Sequence, residues 1–573
     1  RTVVDPGSRV GEGAEVLPGS HVTGTVPNDE LWGGSPMYHR GAASQTWPDV
    51  APEAVSGLPT WGRVKSHLAY SGGAAIIGLL PFLAIIPGAL LILPQVIGIE
   101  FYELVFPVLA LWVPVFVIIT AAVWLLLVVG CVRLVAGMIT PGYFPQNGPV
   151  GWATWLTETL MQRTLISTYP IYASCITPLF LRLLGARVGR SVEISTAETI
   201  PHLTSLKDGS FLADHSLVAS HRAGFGWVHL GTSVIGERTF VGNSAIVGPD
   251  RDLPADALVA VLSSAPHKAP VGSSWLGRRA QPIARAHTEA DESATFRPPR
   301  RLQAARGFVE AFRMVPAMVS AWIDLMIVYA LTSIYMAHGM GMQGLLYTAL
   351  WSGAVLLAAS TLACLVPVIV KWALMGRFRT GERPLFSSFV WRNELADVFS
   401  ESLAVPSLIR LSVGSPLFNA WTRLMGARVE RGVWCETWWL PEFDLVTLEE
   451  GVSVNRGTVL QTHLFHDRIM RLEPVSMRRG STLGPNSFVL PGATIEERST
   501  VGPGSLVMRQ ETVPADGNWG GNPIRHLEPG DQAISAQVVP GPPVAGHDLP
   551  ILSTAPITTP QAVSAAAPEE ATR

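Results

Sequence analysis

Two short strings, "ASHR" (Ala219–Arg222) and "QTHLFHDR" (Gln461–Arg468), each set a histidine behind a hydroxyl residue: Ser220–His221 and, 242 positions later, Thr462–His463. An imidazole, with an ordinary pKa near 6.5, can take a proton from an attacking hydroxyl or amine at neutral pH. Each histidine lies three positions after an apolar residue of the repeat described below (Val218, Leu460), near a corner that exposes a side chain to a groove. Asp467 is expected to hold the tautomer of His463, and Arg468 to bind an anion; Arg222 follows His221 in the same way. Spacing alone also leaves open a hydrogen-bonded surface histidine.

What positions these residues is a period of six. In "STLGPNSFVLPGATIEERSTVGPGSLVMRQETV" the apolar residues Leu483, Val489, Ile495, Val501, Val507 and Val513 recur every six positions, with a small residue two before each of the first five. A helix cannot keep one face at period six, and an isolated strand repeats at two. Short strands wound around a triangular prism can, with one apolar residue pointing inward per side and the small residue at the corner. The same period appears at Val4, Val10, Val16 and Val22, and again from Val188 to Val218 and from Ile235 to Val247. Three parallel β-helix segments are therefore expected, stacked coils burying a continuous core. Each ends in a similar phrase: "LWGGSPMYHR" (Leu31–Arg40), a degraded "VLSSAPHKAP" (Val261–Pro270) and "NWGGNPIRHL" (Asn518–Leu527). "LLGARV" and "LMGARV" introduce the second and third.

Between them lie membrane spans. Of 573 residues 48% are hydrophobic and 15% charged, too apolar for an ordinary soluble protein. No Asp, Glu, Lys or Arg interrupts Leu68–Gly98 or Val105–Val132, and a second pair runs from Met314 to His338 and from Leu345 to Val370; about 20 apolar residues suffice to cross a bilayer. Basic residues flank the outer ends of both pairs (Arg63, Lys65, Arg133; Arg313, Lys371, Arg377) and avoid the short turns between helices, which puts the large polar segments in the cytoplasm at the cell membrane. Asp324, alone within a span, is either functional or paired and snorkelling. Trp438 and Trp439 either line a substrate groove or, as expected here, pack at the membrane surface.

The expected organisation is the end of a first β-helix (1–40), a transmembrane pair (68–137), an approach segment with the second β-helix (141–270), a cytoplasmic linker (271–313), a second transmembrane pair (314–371), an approach segment with the third β-helix (380–530), and a disordered tail (531–573). Residue 1 already falls inside a repeat, so an upstream part is expected. A net charge of −3 without a basic, aromatic-rich face argues against nucleic acid. Four scattered cysteines suggest neither a disulfide framework nor a metal site.

The Thr-His element and the Trp-Gly-Gly-Asn-Pro phrase (Trp519, Gly520, Gly521, Asn522) resemble those of hexapeptide-repeat acyltransferases. That likeness covers about half the chain and implies a left-handed coil, a general base at His463, and Trp519–Asn522 and Arg222 near a pantetheine arm. The alternation of membrane pairs with tandem β-helices, together with "LMGARV", "LQTHLFHDR" and "NWGGNP", resembles the carboxy-terminal region of the ε-poly-L-lysine synthetase family of nonribosomal peptide synthetases. This implies phosphopantetheine or a coenzyme A thioester as acyl carrier, ATP used only by an adenylation domain outside this sequence, upstream adenylation and carrier domains as partners, an amino-acid substrate, and a homo-oligomer. The function expected is amide-bond formation from carrier-bound aminoacyl thioesters, with His463, His221, Asp467 and Arg468 as catalytic candidates. A membrane-tethered acetyltransferase using acetyl-CoA and a non-catalytic scaffold or export element are the alternatives.

Overall fold

A computed structural model of the chain describes residues 2–43, 47–48, 60–99, 102–285 and 291–528. The tail expected from residue 531 lies outside them.

The period of six is visible directly in the backbone. Gly480, Asn486, Gly492, Arg498, Gly504, Gln510 and Asp516 all have positive φ, so the chain turns left-handedly at one residue in every six. The small residue that follows each of the first five turns is buried: Ser481, Ser487, Ser499 and Ser505 are fully enclosed and Ala493 nearly so. The Ser481 and Ser505 hydroxyls donate back to the Arg478 and Gly502 carbonyls at 2.7 Å. A larger side chain would not fit these corners, and the hydroxyl satisfies a carbonyl that the turn removes from the ladder. Two-residue strands between corners pair in parallel with the strand three sides later, as in Thr482↔Thr500 and Thr494↔Thr512, an offset of eighteen.

The second and third stacks each consist of three such sheets, of six, three and four strands and of six, three and five strands, parallel throughout except for an antiparallel last strand on each six-stranded sheet, Gln281–Ile283 and Arg525–His526. Parallel sheets of this kind are compatible with hexapeptide-repeat-like domains. The first stack is smaller, with Val3↔His21 and Arg9↔Thr25 in parallel register. Val22 and Val26 are buried there, whereas Val4 and Val10, expected to point inward, are 57% and 50% exposed; among the described residues no further coil covers them.

Among the described residues four helices are long and apolar enough to cross a membrane. Helices α1 (Thr60–Val96) and α2 (Tyr102–Ala136) form one hairpin. After it come α3 (Pro149–Ser167) and α4 (Ile176–Leu184), which lead into the second stack. Helix α5 (Arg300–Ala311) precedes the second hairpin, α6 (Val315–Ala337) and α7 (Met342–Leu374). Then α8 (Ser388–Phe399), continued by a π-helix over Ser400–Ile409, and α9 (Pro416–Met425) lead into the third stack. The "LLGARV" and "LMGARV" phrases are the stops of α4 and α9. Gly185 and Gly426 adopt φ of 112° and 116°, and their N–H groups close onto the last turn, a cap that glycine makes without a Cβ penalty.

The segment expected to be a linker is built into the structure. Arg306 on α5 is buried, grips both Glu193 oxygens at 2.9 and 3.0 Å and bonds Glu310 at 2.6 Å. Arg313 donates to the Pro170, Tyr172 and Ala173 carbonyls. A run of arginines reads as a solvated linker only when its partners, distant in sequence, are unknown.

The three stacks touch one another. Arg222 of the second pairs with Glu15 of the first at 2.6 Å, Asn522 of the third donates to Leu262 O of the second at 2.8 Å, and Ser35 of the first donates to Pro503 O of the third at 2.5 Å. The degraded closing phrase is thus one member of a meeting of all three.

Candidate functional site

His463 stands where the third stack is interrupted. Instead of turning the next corner, the chain leaves the coil in an antiparallel hairpin, His463–His466 with Ile469–Leu472, whose outer strand pairs with Gly381–Pro384. The second stack does the same with Arg222–Gly224, Trp227–Leu230 and Gly142–Pro145. Each excursion adds eleven residues to the coil, so that Val446 pairs with Val475 and Thr204 with Ser233 at an offset of 29. His463 lies at the hairpin base. Asp467 and Arg468 form its two-residue tip, both with positive φ, as a type I′ turn requires.

That geometry corrects two expectations. The tip begins four residues after His463, roughly 13 Å along a strand, so Asp467 does not orient the imidazole; it pairs with Arg285. Arg468 is 2% exposed, lies over the Phe296 ring and donates to the Thr295 and Gly209 carbonyls. It locks the tip against the second stack rather than facing a ligand.

The partner of His463 is Glu442. Its carboxylate lies 2.9 and 3.0 Å from Nδ1 and is wholly buried. Thr462 Oγ1 donates to Glu442 Oε2 at 2.5 Å and Asn393 Nδ2, from α8, to Oε1 at 2.8 Å. The hydroxyl before the histidine thus positions its acid partner. Burial alone would raise Glu442, but the charge of His463 and these hydrogen bonds pull it below its usual value. Burial likewise disfavours the imidazolium, yet Glu442, with Asp214 and Asp397 further off, outweighs it and lifts His463 above 6.5. With Nδ1 on the carboxylate, Nε2 is left to act as base, and the Gln461 side-chain amide lies 3.5 Å from it.

His463 lines two adjoining cavities, of about 130 and 490 Å³, which share Asp214, Asp397 and Gln461. Their walls come from the second stack (Asp214, Asn243), the third stack (Glu442, His463) and α8 with its π-helical extension. Glu394, Asp397 and Glu401 fall at i, i+3 and i+7, on one helical face, and reach these cavities. Burial pushes Glu394 up to about 7 against the pull of Arg306 and Arg313. Asp397 and Glu401, desolvated and repelled by neighbouring carboxylates, are also held well above the ordinary range. Trp438 and Trp439, expected at the membrane surface, line the larger cavity; Trp438 lies under Arg410 and Trp439 against His215.

Glu394 gives a stability prediction. Its folded pKa exceeds its unfolded one, so its contribution is complete below about 4.5 and is lost as pH rises to about 7. Thermal unfolding of the solubilised protein should therefore decline between those values, and Glu394→Gln should flatten the decline. A variant slope equal to the parent's would rule out this assignment. Asp397 and Glu401 act with the same sign, so part of the slope persists.

His221 has an equivalent partner by another route: Nδ1 lies 2.6 Å from Glu158 on α3. Glu158 follows Gly142 by sixteen residues, and Asp397 follows Gly381 by sixteen, so the helix acid belongs to both copies while Glu442 belongs to the third alone. Its hydrogen bond lifts His221 above 6.5 despite burial. Arg222 lies over the Trp47 ring as well as on Glu15. Trp519, Gly520, Gly521 and Asn522 do not line the cavities at His463; Gly521 N donates to Ser505 Oγ, and Asn522 faces the second stack. Asp324 is exposed on the surface of α6, with no hydrogen bond or ion pair to it among the described residues.

Glu442, Asn393, Glu394, Asp397, Glu401 and Glu158 escaped the sequence reading. The visible signal was "NELADVFSE", three acids on one face of an apolar segment.

No protein-family model matches the chain. Among solved structures, a hexapeptide-repeat acetyltransferase from Vibrio cholerae is 20% identical, covering 21% of this chain and 85% of its own at a TM-score of 0.17. A serine acetyltransferase from Brucella abortus is 14% identical, covering 40% and 96% at a TM-score of 0.16. The chain is a distant homologue of the delta-poly-L-ornithine synthetase of Acinetobacter baumannii (strain AB307-0294), 28% identical over 520 residues, and spans 87% of itself but 38% of that relative's length.

Proposed function

We propose that the His463 cavity joins an aminoacyl group, presented as a phosphopantetheinyl thioester, to the amine of a cationic amino acid, building an amide-linked homopolymer or short isopeptide. The observation that carries this reading is the pairing of a buried His463–Glu442 dyad with an acidic cavity. The two cavities together present six carboxylates (Glu193, Asp214, Glu394, Asp397, Glu401, Glu442) against three arginines (Arg306, Arg313, Arg410). Burial and mutual repulsion keep much of Glu394, Asp397 and Glu401 protonated near neutral pH, and an ammonium group entering among them would draw them into the ionised form; the name of the similar synthetase, an ornithine polymer, is consistent with such an acceptor.

In this reaction the neutral amine nitrogen attacks the thioester carbonyl carbon and a C–N bond forms. His463 Nε2 takes the amine proton and Glu442 stabilises the imidazolium. Backbone N–H groups of the coil steady the oxyanion. The C–S bond then breaks and the thiolate receives the proton from His463, leaving an amide and a thiol. An acceptor arriving as an ammonium ion must first lose one further proton, and a carboxylate with a raised pKa is suited to take it.

The wider reading takes the stacks as left-handed hexapeptide β-helices on the cytoplasmic side of the cell membrane. A homo-oligomer would work with upstream adenylation and carrier domains, where ATP enters.

The test is acceptor charge. Above pH 8, where Glu401, pushed up to about 8, is ionised, Glu401→Gln should raise KM for an ornithine-like or lysine-like acceptor roughly tenfold, the loss of one charge-assisted contact, and leave a neutral-side-chain amine unaffected. Equal effects on both acceptors, or none on either, would remove the cationic amine from this cavity.

A further inference from the structure

Two short helices outside the four long ones are apolar on both faces. On α4 the inner face, Phe180, Leu181 and Leu184, is buried in the core of the second stack, while Ile176, Leu179 and Leu183 are 45, 54 and 47% exposed. These three fall at i, i+3 and i+7 and form one stripe on the outer side. The pattern recurs 241 positions later. On α9 Phe418, Trp421 and Met425 are buried in the core of the third stack, and Leu417 and Leu424, both 53% exposed, continue the same outer stripe through Ala420. A helix on a water-facing surface sets polar residues opposite its apolar face, as α8 does by turning Ser388 and Arg392 outward. Apart from Arg182 and Arg423 in their last turns, α4 and α9 turn apolar residues outward instead.

Both helices are fastened to the end of a membrane hairpin. Arg133, in the last turn of α2, donates from Nε to Leu183 O at 2.7 Å, and Trp372, in the last turn of α7, donates from Nε1 to Leu424 O at 2.8 Å. The accepting carbonyls belong to the last turns of α4 and α9, groups that a helix leaves without an internal partner. On the other side Arg182 and Arg423 donate to Val188 O and Val429 O, in the first strand of each stack, at 2.9 and 2.7 Å. Each helix is therefore a fixed joint between a span and a coil, and its outer stripe lies at the level where the span ends. Arginine and tryptophan at the end of a span mark the membrane interface. Leu134, next to Arg133, is mostly exposed, so the surface of α2 is still apolar at that level.

We propose that α4 and α9 lie in the membrane interface, with their outer leucines and isoleucine inserted among the upper acyl chains of the leaflet on which the stacks stand. The occupant of this face is lipid and not a second copy of the chain. A stripe of two or three large side chains on a helix about 14 Å long is too small for a stable protein interface, which takes roughly 800 Å² from each partner. The inference goes beyond the reaction at His463 and rests on the four long helices being spans.

The experiment places the full chain in lipid nanodiscs, with the exposed Cys175 replaced by serine and that protein as the blank. Leu179→Cys, Leu183→Cys, Leu417→Cys and Leu424→Cys each carry an environment-sensitive fluorophore. Spin-labelled lipids quench it from within the bilayer, and iodide quenches it from water. At all four positions emission should shift to the blue and lose most intensity to spin labels high on the acyl chain, as a face roughly 5 to 10 Å deep requires. Labels at the chain end should quench less and iodide little. Thr512→Cys, exposed at the far end of the third stack, should lose intensity to iodide alone. Leu357→Cys, exposed in the middle of α7, should lose most to chain-end labels. Iodide quenching of either helix to the extent seen at Thr512 would put it in water, and protection from lipid and iodide alike would put a second copy over it; each result overturns the proposal. A Leu357 probe untouched by lipid labels would overturn it too, by removing the spans themselves. All the substituted side chains are exposed, and two positions on each helix keep the measurement decisive where one variant misfolds.

Discussion

His463→Ala is expected to lower amide formation from a carrier-bound aminoacyl thioester by roughly 10²- to 10⁴-fold, the usual contribution of a positioned general base. Thioester loading upstream should be unchanged. The substitution is unusually clean, because it does not strand the buried acid. Glu442 keeps its bonds from Thr462 and Asn393, and without the imidazolium burial raises its pKa, so it can take up a proton rather than remain an uncompensated buried charge. The imidazole itself lies at a cavity wall with 18% of its side chain exposed. The measurement is mass spectrometry of product and of loaded carrier in parallel. Full product from the variant would move the chemistry elsewhere and leave this stack as a binding surface or export element. The same change at His221 should alter product formation by no more than a few-fold, since in the cavity there five arginines (Arg40, Arg222, Arg251, Arg278, Arg279) face three glutamates (Glu15, Glu158, Glu198), a balance that does not favour the cationic acceptor.

How far the sequence leads depends on the range of the interactions concerned. The corners at period six and the inward apolar residues of the second and third stacks are set by neighbours within a few residues and were legible; the glycine stops at Gly185 and Gly426 are as local, but only the repeated phrase around them was read. The four apolar helices follow from length and composition alone. The pairing of Glu442 with His463 was not legible, because it joins the residues before one coil to the residue that leaves the next, twenty-one positions on. Asp467 looked the better partner for being nearer in sequence, but a hairpin separates its base from its tip by the length of its strands. Arg306 read as part of a linker and Arg468 as an anion binder for the same reason: their carbonyl and carboxylate partners lie on distant segments, among them the second stack. Asn393 and Asp397 come to the site only because α8 lies across the gap between two stacks, an arrangement without a local signature. The opposite charges of the two histidine cavities could be found only after the walls had been assembled from three distant segments each.

Glu442→Gln separates a positioning acid from a merely structural one. Glutamine keeps the shape and can still accept from Thr462, but it removes the charge that lifts His463 above 6.5. The parent enzyme loses rate as pH falls through that raised pKa, because the protonated imidazole cannot accept the amine proton. An opposite charge at this distance shifts a pKa by roughly 1 to 3 units, so the acidic limb of kcat/KM should move downward by about that amount in the variant. The plateau itself should fall by ~10²-fold or more: a glutamine N–H can donate to Nδ1 and drive the proton onto Nε2, and no carboxylate remains to stabilise the imidazolium. Glu394, which burial pushes up to about 7, lines the same cavity, so Glu394→Gln is the control, and its limb should stay where the parent's lies. A Glu442→Gln protein of lower melting temperature whose acidic limb has not moved would make Glu442 a packing residue and take the base out of His463. A limb that moves down with a lowered plateau would require the imidazole and carboxylate to act together on the proton of the attacking amine, as their shared burial beside an acidic cavity allows.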